Sequence, residues 1–331
     1  MAIQSMPYRV LKYYAYTPIQ DPAAFREAQH RCCLDLGLLG RIKVASEGIN
    51  GTLSGLAKGC QAYMQALKSD PRFADLLFNI TPVAAPVHHK LHVRLKKEIV
   101  HSGLPTLQPS RDPQGRCYVK PQAFERMCQR KDVVVVDFRS NYEHRLGKFR
   151  GAVTLDIQNF RAFPAKIKAL NLDKSKTYIT VCTRGIKSEK GREYLKKVLG
   201  LPKVLQLEGG ILDYGQATQG SAFEGSCYVF DQRLVVPINK ANPTVISKCH
   251  GCQTPCARMV NCANPLCNRH LPICHDCTTK REGACSQACQ CHPKKRPYNK
   301  EGYYPKSSNG YAPALGLRRA KQHRLRATPL A

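Results

Sequence analysis

The sequence predicts a multidomain α/β protein. A doubly wound parallel-sheet domain stands in the middle, with an α+β ferredoxin-like unit before it and a cysteine-rich module after it. Three observations carry this prediction. Residues 133–136 are four consecutive valines ahead of Asp137, the apolar run of a strand buried on both faces. Residues 177–181 and 204–207 repeat such runs, with helix-forming segments between. The first hundred residues alternate strand-like and helix-like segments in the order βαββαβ, and residues 248–292 hold ten cysteines.

At 331 residues the chain can bury more than one core, so two or three domains is the natural expectation. Lys and Arg number 52 against 23 Asp and Glu, a formal net charge of +29 at pH 7. Such an imbalance suits a polyanionic partner, nucleic acid or an anionic membrane surface, better than a merely solvated surface. The first eighteen residues carry Arg9, Lys12 and several tyrosines, which excludes an apolar signal core. No run of about 18 apolar residues exists, which argues against a spanning helix. With 17 cysteines and no secretory signal, a reducing cytoplasm is the expected compartment, where clustered cysteines bind metal rather than pair as disulfides.

Taken in order, residues 10–16 read as a strand, 22–37 as an amphipathic helix and 40–45 as a second strand. Residues 47–51 (Glu47-Gly48-Ile49-Asn50-Gly51) read as a glycine-punctuated turn into 52–54. Residues 60–67 give a further helix and 78–83 a strand. The unit, residues 1–101, closes on a basic strand over 90–100. Lys90, Arg94, Lys96 and Lys97 are its nucleic-acid-binding candidates; a solvated strand face is the equally weighted alternative. Nearby His88, His89 and His92 read as part of that solvated edge rather than a metal site. Residues 102–121, rich in Pro, Gly and Gln, read as a linker.

Within the parallel-sheet domain, residues 122–220, the segment Cys182-Thr183-Arg184-Gly185-Ile186-Lys187-Ser188 lies between the strand 177–181 and a helix over 189–199. Tyr194, Leu195, Val198 and Leu199 would form the apolar stripe of that helix, and Gly200 and Pro202 end it. A thiol there sits at the carboxyl end of a strand, where such sheets place their sites, and faces a helix N-terminus whose N–H groups favour a thiolate. Arg184 and Lys187 add positive charge. A small buried cysteine is the bland alternative; the Thr, Arg and Gly neighbours favour an exposed anion cradle. Asp137 and Arg139 read as a buried pair bracing this loop, and Tyr142 and Glu143 as the start of the next helix.

Residues 221–247 read as a hairpin connector turning at Asp231-Gln232. Residues 248–292 form the cysteine module, in which Cys249-x2-Cys252, Cys262-x4-Cys267, Cys274-x2-Cys277 and Cys285-x3-Cys289 are four ligand pairs. Two such pairs complete one tetrahedral zinc site, so two structural zinc ions are expected. A cross-braced pairing is favoured, with Cys249, Cys252, Cys274 and Cys277 on one ion and Cys262, Cys267, Cys285 and Cys289 on the other. Spacing leaves the pairing open, and Cys256, Cys291, His250, His270 and His275 are substitutes. Residues 293–331 are a basic tail with too little apolar content to fold alone.

These pieces resemble the rhodanese-domain proteins that act as oxygen-dependent tRNA uridine hydroxylases, converting wobble uridine 34 to 5-hydroxyuridine. The resemblance runs to about residue 292. It rests on Lys12-Tyr13-Tyr14, Glu47-Gly48-Ile49-Asn50-Gly51, Lys97-Glu98-Ile99-Val100 and Val136-Asp137-Phe138-Arg139-Ser140-Asn141-Tyr142-Glu143. The Cys182 loop, Leu207-Glu208-Gly209-Gly210-Ile211 and the cysteine module complete it. It implies an acylphosphatase-type N-terminal fold, a rhodanese domain, molecular oxygen as co-substrate and Cys182 as the active-site cysteine. The family commonly reads Cys-Thr-Gly-Gly-Ile-Arg-Cys in the loop. Here Arg184, Lys187 and Ser188 stand at the third, sixth and seventh places, so an intraloop dithiol relay is excluded. Lys148 stands where the family usually has histidine.

The function expected is therefore a tRNA-modifying oxidoreductase of monooxygenase type, acting on an anticodon loop from which a single-stranded base can be splayed. A sulfurtransferase forming a persulfide on Cys182 is the alternative enzyme, and a non-enzymatic RNA-binding adaptor the alternative without chemistry. A Cys-x5-Arg phosphatase is the weakest reading, because the arginine's place is Ser188.

Overall fold

The computed structural model describes residues 6–85, 87–109, 115–230 and 233–300. The chain divides into two compact units. One comprises the residues up to Asn141 together with Gly151–Thr218; the other comprises Tyr142–Arg150 and the residues from Gln219 onward.

The first unit opens with β1 (Tyr8–Tyr16), α1 (Pro22–Asp35), β2 (Leu39–Ala45), β3 (Gly48–Leu56), α2 (Ala57–Lys68), β4 (Asn79–Val83) and β5 (Leu91–Leu95). The strand order β4-β1-β3-β2 is the ferredoxin-like arrangement, and β5 adds a parallel edge beside β2. Asp21 caps α1 by accepting the N–H groups of Ala23 and Ala24, and Pro22 occupies its first turn. Alternation along the strands buries Leu11, Tyr13, Ile42, Val44 and Leu53 with Cys33, Tyr63 and Leu67 of the helices. Two expectations are corrected here. The glycine-rich segment 47–51 is not a turn: β3 begins at Gly48. That glycine sits at φ +146°, and a Cβ would fall 2.0 Å from the Ala15 carbonyl oxygen. The basic strand is short, ending at Leu95, because Ile99 and Val100 leave the sheet edge for a second core.

That core lies against the parallel sheet, whose stretch of chain opens with β6 (Tyr118–Val119), α3 (Pro121–Met127), β7 (Val133–Asp137) and β9 (Val153–Thr154), with α4 (Asn141–His144) and β8 (Gly147–Phe149), a strand of another sheet, lying between β7 and β9 in sequence. The chain continues through α5 (Phe163–Lys168), β10 (Thr177–Val181), α6 (Ile186–Lys197), β11 (Val204–Leu207) and α7 (Gly210–Ala217). The order β6-β11-β10-β7-β9 is wholly parallel and puts β10 at its centre. Residues 118–119, read as linker, supply an edge strand too short to show any periodicity. Tyr16, Ala45, Ile99 and Val100 pack with Val136, Phe138, Phe163 and Leu195, so the first sheet and the parallel sheet share one core. Truncating Phe138, ringed edge-on by Phe163, would cost about 3–5 kcal/mol.

In the second unit β8 pairs with β12 (Phe223–Tyr228), which pairs in turn with β13 (Val235–Pro237). The expected hairpin thus forms with Tyr228 opposite Val235, while its turn residues 231–232 lie outside the described residues. Beyond it come β14 (Met259–Asn261), β15 (His270–Pro272), α8 (His275–Lys280) and α9 (Gln287–Gln290). The core of this segment consists largely of cysteines, with Val260 and Ile273. The basic tail is described to Lys300; residues 301–331 lie outside. Among the described residues, no helix is long and apolar enough to cross a membrane.

Candidate active site and metal centres

Cys182 follows the last residue of β10, at the carboxyl end of the central strand. The Gly185 N–H points at its Sγ at 3.1 Å and the Ser188 hydroxyl lies at 3.5 Å. The Glu208–Ile211 segment backs the loop: the N–H groups of Ile211 and Leu212 hold the carbonyls of Cys182 and Thr183 at 3.0 and 3.2 Å. Gly185 is the N-cap of α6 at φ +105°, and a Cβ there would lie 2.4 Å from the Tyr14 hydroxyl. Only glycine turns the chain here and leaves its N–H facing sulfur.

Two expectations about this loop need correction. The cysteine is not exposed: Cys182 retains 2% of its accessible surface, and Thr183 is buried beside it. Its surroundings are nonetheless polar, because α6 begins three residues earlier than expected, at Ile186, and tucks the loop beneath its first turn. Nor is the helix held by a simple apolar stripe. Val198 is 54% exposed, whereas Ser188, Glu189, Lys190, Arg192 and Glu193 are buried.

Those buried charges meet partners that linear reading does not find. Lys190 Nζ donates to Glu47 Oε2 at 2.5 Å with both side chains sealed from water, and Glu47 Oε1 also accepts the Ile99 N–H at 2.7 Å. Burial pushes the Glu47 carboxyl up against the pull of Lys190. The Tyr14 hydroxyl donates to Glu189 at 2.9 Å and that of Tyr16 to the Ile186 carbonyl at 3.1 Å. Burial, then the Glu189 carboxylate, drives the Tyr14 phenol well above its ordinary range. Gln206 of β11 donates to the Gly185 carbonyl at 3.2 Å. Tyr14 and Tyr16 of β1, Glu47 just before β3 and Gln206 of β11 thus hold the loop and the first turn of α6 from three places distant in sequence.

Asp137 and Arg139 form the expected buried pair, with Nε donating to Oδ1 at 2.9 Å and Nη2 to Oδ2 at 2.6 Å. Asp137 ends β7 in register with Val181, next to Cys182. Arg184 and Lys187 are half-buried, and Arg184 acts on Asp213 against the burial that raises that carboxyl. Lys148 lies on β8 in the second unit, 4.0 Å from Glu224. His88 bonds Ser54 at 2.9 Å, half-buried rather than fully solvated.

Lys90, Arg94, Lys96 and Lys97 are exposed at the β5 edge. The sheet register sets further cations beside them: Arg41 opposite His92 and Lys43 opposite Arg94 on the parallel neighbour β2. The Arg41-Ile42-Lys43-Val44 alternation was a readable sign of a charged strand face; its neighbours were not.

The eight paired cysteines assemble into two groups, Cys249, Cys252, Cys274 and Cys277, and Cys262, Cys267, Cys285 and Cys289. Within each group the Sγ atoms lie within 4.8 Å of one another. Four sulfurs at about 2.3 Å from one zinc stand about 3.8 Å apart in a tetrahedron. The separations of 3.6 Å for Cys252–Cys274, 3.7 Å for Cys267–Cys285 and 3.8 Å for Cys285–Cys289 fit that geometry. A disulfide, at about 2.05 Å, does not fit. The substitutes Cys256, Cys291, His250, His270 and His275 stay outside both groups. Burial opposes ionisation of Cys249, but N–H groups of Cys274, Cys252 and Gly251 outweigh it and bring its thiol down to about 6. The Arg269 guanidinium reaches Cys285 Sγ at 3.3 Å. Each group can hold one metal ion, with anionic sulfur neutralised by cation and N–H donors.

Comparison with known proteins matches residues 8–99 to the UPF0176 acylphosphatase like domain, residues 120–217 to the Rhodanese-like domain and residues 224–290 to the Rhodanase C-terminal domain. A protein of Cytophaga hutchinsonii named tRNA uridine(34) hydroxylase is 52% identical, covering 94% of this chain and 99% of its own. Proteins of the same name from Onion yellows phytoplasma and Bacillus cytotoxicus are 43% and 40% identical. Each covers 91% of this chain, and 97% and 93% of its own length.

Proposed function

The chain belongs to the tRNA uridine(34) hydroxylase family, and from that membership we propose that it hydroxylates uridine 34 of tRNA to 5-hydroxyuridine, with Cys182 as the reactive thiol. The observation that carries the reaction centre is the Gly185 N–H aimed at Sγ from the N-cap of α6, a donor that stabilises negative charge on sulfur. The thiolate adds to uracil C6, which makes C5 nucleophilic toward oxygen. One oxygen atom of O2 becomes the C5 hydroxyl and the other leaves as water, using two electrons and two protons from a donor. Loss of the C5 proton and release of the thiolate restore the ring. Because Sγ is buried, the loop opens to admit the base. Asp137 and Arg139 support the loop, Arg184, Ile186 and Lys187 line its rim, and Thr183 and Ser188 lie buried within it.

Lys90, Arg94, Lys96 and Lys97 contact the phosphates of tRNA, whose neutralisation dominates affinity for so basic a protein. The two cysteine groups each hold a Zn2+, which supplies folding free energy rather than chemistry, since four-thiolate sites are closed. The enzyme works in the cytoplasm, where tRNA is found.

Nucleoside mass spectrometry of tRNA from a deletion strain tests this reading. Loss of 5-hydroxyuridine, restored by the wild-type gene and not by Cys182→Ala, is the expected result. Restoration by Cys182→Ala would refute the role of the thiol, and an unchanged deletion strain the function itself.

A further inference from the structure

We propose that the exposed β2–β5 strip of the N-terminal sheet is a phosphate-binding track that leads the RNA strand to the Cys182 loop, with Arg41, Lys43 and Lys187 as the cations that join the β5 edge to the site. The inference rests on the reading of tRNA as substrate and extends it to Arg41 and Lys43, which no motif singled out, and gives Lys187 of the Cys182 loop a partner role.

The register supplies the geometry. The helices α1 and α2 cover the face carrying Leu11, Ile42, Val44 and Val93; on the opposite face two cross-strand rows lie between the buried Val10 and Ser54 at one end and Tyr16 and Ala45, packed on the parallel-sheet core, at the other. One row runs Tyr14–Asn50–Lys43–Arg94 across β1, β3, β2 and β5, and the next runs Lys12–Thr52–Arg41–His92. At strand spacings of about 4.8 Å, the first row spans about 14 Å of backbone. Its inner end is pinned at the reaction centre, since Tyr14 bonds Glu189 and crowds Gly185. Its outer end is the exposed Arg94, and the Lys96 N–H bonded to the Val44 carbonyl at 2.8 Å continues the charged edge.

The electrostatics agree with this layout. Partial desolvation, then Lys96, Arg41 and Lys187, lowers the ammonium of Lys43, although that side chain is still open to water. Lys187, in the first turn of α6, therefore belongs to the same positive field as β2 and β5. His92 is lowered by burial and by Arg94, Arg41 and Lys90. Cations crowded at their mutual disadvantage along one face are stabilised by an anion laid across them. A chain of phosphates can lie across several of these cations at once, which an isolated anion cannot.

The test compares two variants of the full chain with equal charge loss. One is Arg41→Gln/Lys43→Gln/Lys187→Gln. The control is Lys58→Gln/Lys68→Gln/Lys168→Gln; Lys58 and Lys68 lie on α2, which covers the opposite face of the same sheet, and all three are exposed. Affinity for an anticodon stem–loop RNA is measured against salt, and melting curves confirm that both variants fold. The track variant should bind at least about tenfold more weakly and lose about two to three units of salt slope, with the control close to wild type. Equal losses in both variants would show bulk polycation binding, and no loss in either would show no track; each outcome overturns the proposal. So would a track variant that loses binding to phosphatidylserine vesicles while keeping RNA affinity. If wild-type protein restores no 5-hydroxyuridine, the substrate reading fails independently of the RNA-binding result.

Discussion

The chain uses cysteine in two opposite ways. In the parallel-sheet unit one thiol is held singly, with one backbone N–H and one hydroxyl directed at it and its loop tied down by side chains from three distant places. In the second unit eight thiols face one another in two quartets, and all but the exposed Cys252 belong to the core of the cysteine module. The difference teaches what a cysteine needs for each task. A reactive sulfur wants donors that leave it uncoordinated, so the surrounding fold must be stable without it. A ligating sulfur wants three others, and the fold around it can do without an apolar core.

Removing metal should separate the two regions most sharply. Stripping with a strong chelator, or Cys285→Ser, should unfold the cysteine module, because structural zinc contributes on the order of 10 kcal/mol. Metal analysis should read two ions per wild-type chain and fewer in the variant. A module that melts unchanged without metal would break the comparison. Cys182→Ala should do the converse, lowering product formation at least about 1000-fold with no change in melting temperature or metal content.

The buried pair behind the loop comes next in size. Lys190→Met strands Glu47 without its cation and should destabilise the first unit by about 3–5 kcal/mol, whereas Glu47→Leu combined with Lys190→Met should recover much of the loss. Denaturant unfolding of both variants measures this, and additive losses would contradict the pairing. Ser188→Ala is the smallest change. It removes the hydroxyl that stands 3.5 Å from sulfur and 2.9 Å from the Gly185 carbonyl it donates to, and should slow turnover roughly fivefold while lowering stability by only about 1 kcal/mol.

Much was legible from local pattern. The valine run, the strand ahead of Cys182 and the βαββαβ order declare themselves through periodicity, and the cysteine spacings announce metal pairs. Helix α6 shows the limit. Its buried face holds Lys190, Arg192 and Glu193 beside the expected Tyr194 and Leu195, and residues that bury charge against distant partners look like solvent-facing residues to a linear reading.

The sequence by itself determined the strand cores, the position of the thiol at the end of a strand and the inventory of metal-ligating sulfur, because each depends on contacts or geometry within a few residues. Only the tertiary structure decided which cysteine pairs combine, that Cys182 is buried, and that Tyr14, Glu47, Arg41 and Lys43 converge on its loop or on the face leading to it. Those outcomes follow from sheet register and interlayer packing. Register brings together residues tens to hundreds of positions apart, and no local propensity encodes that distance.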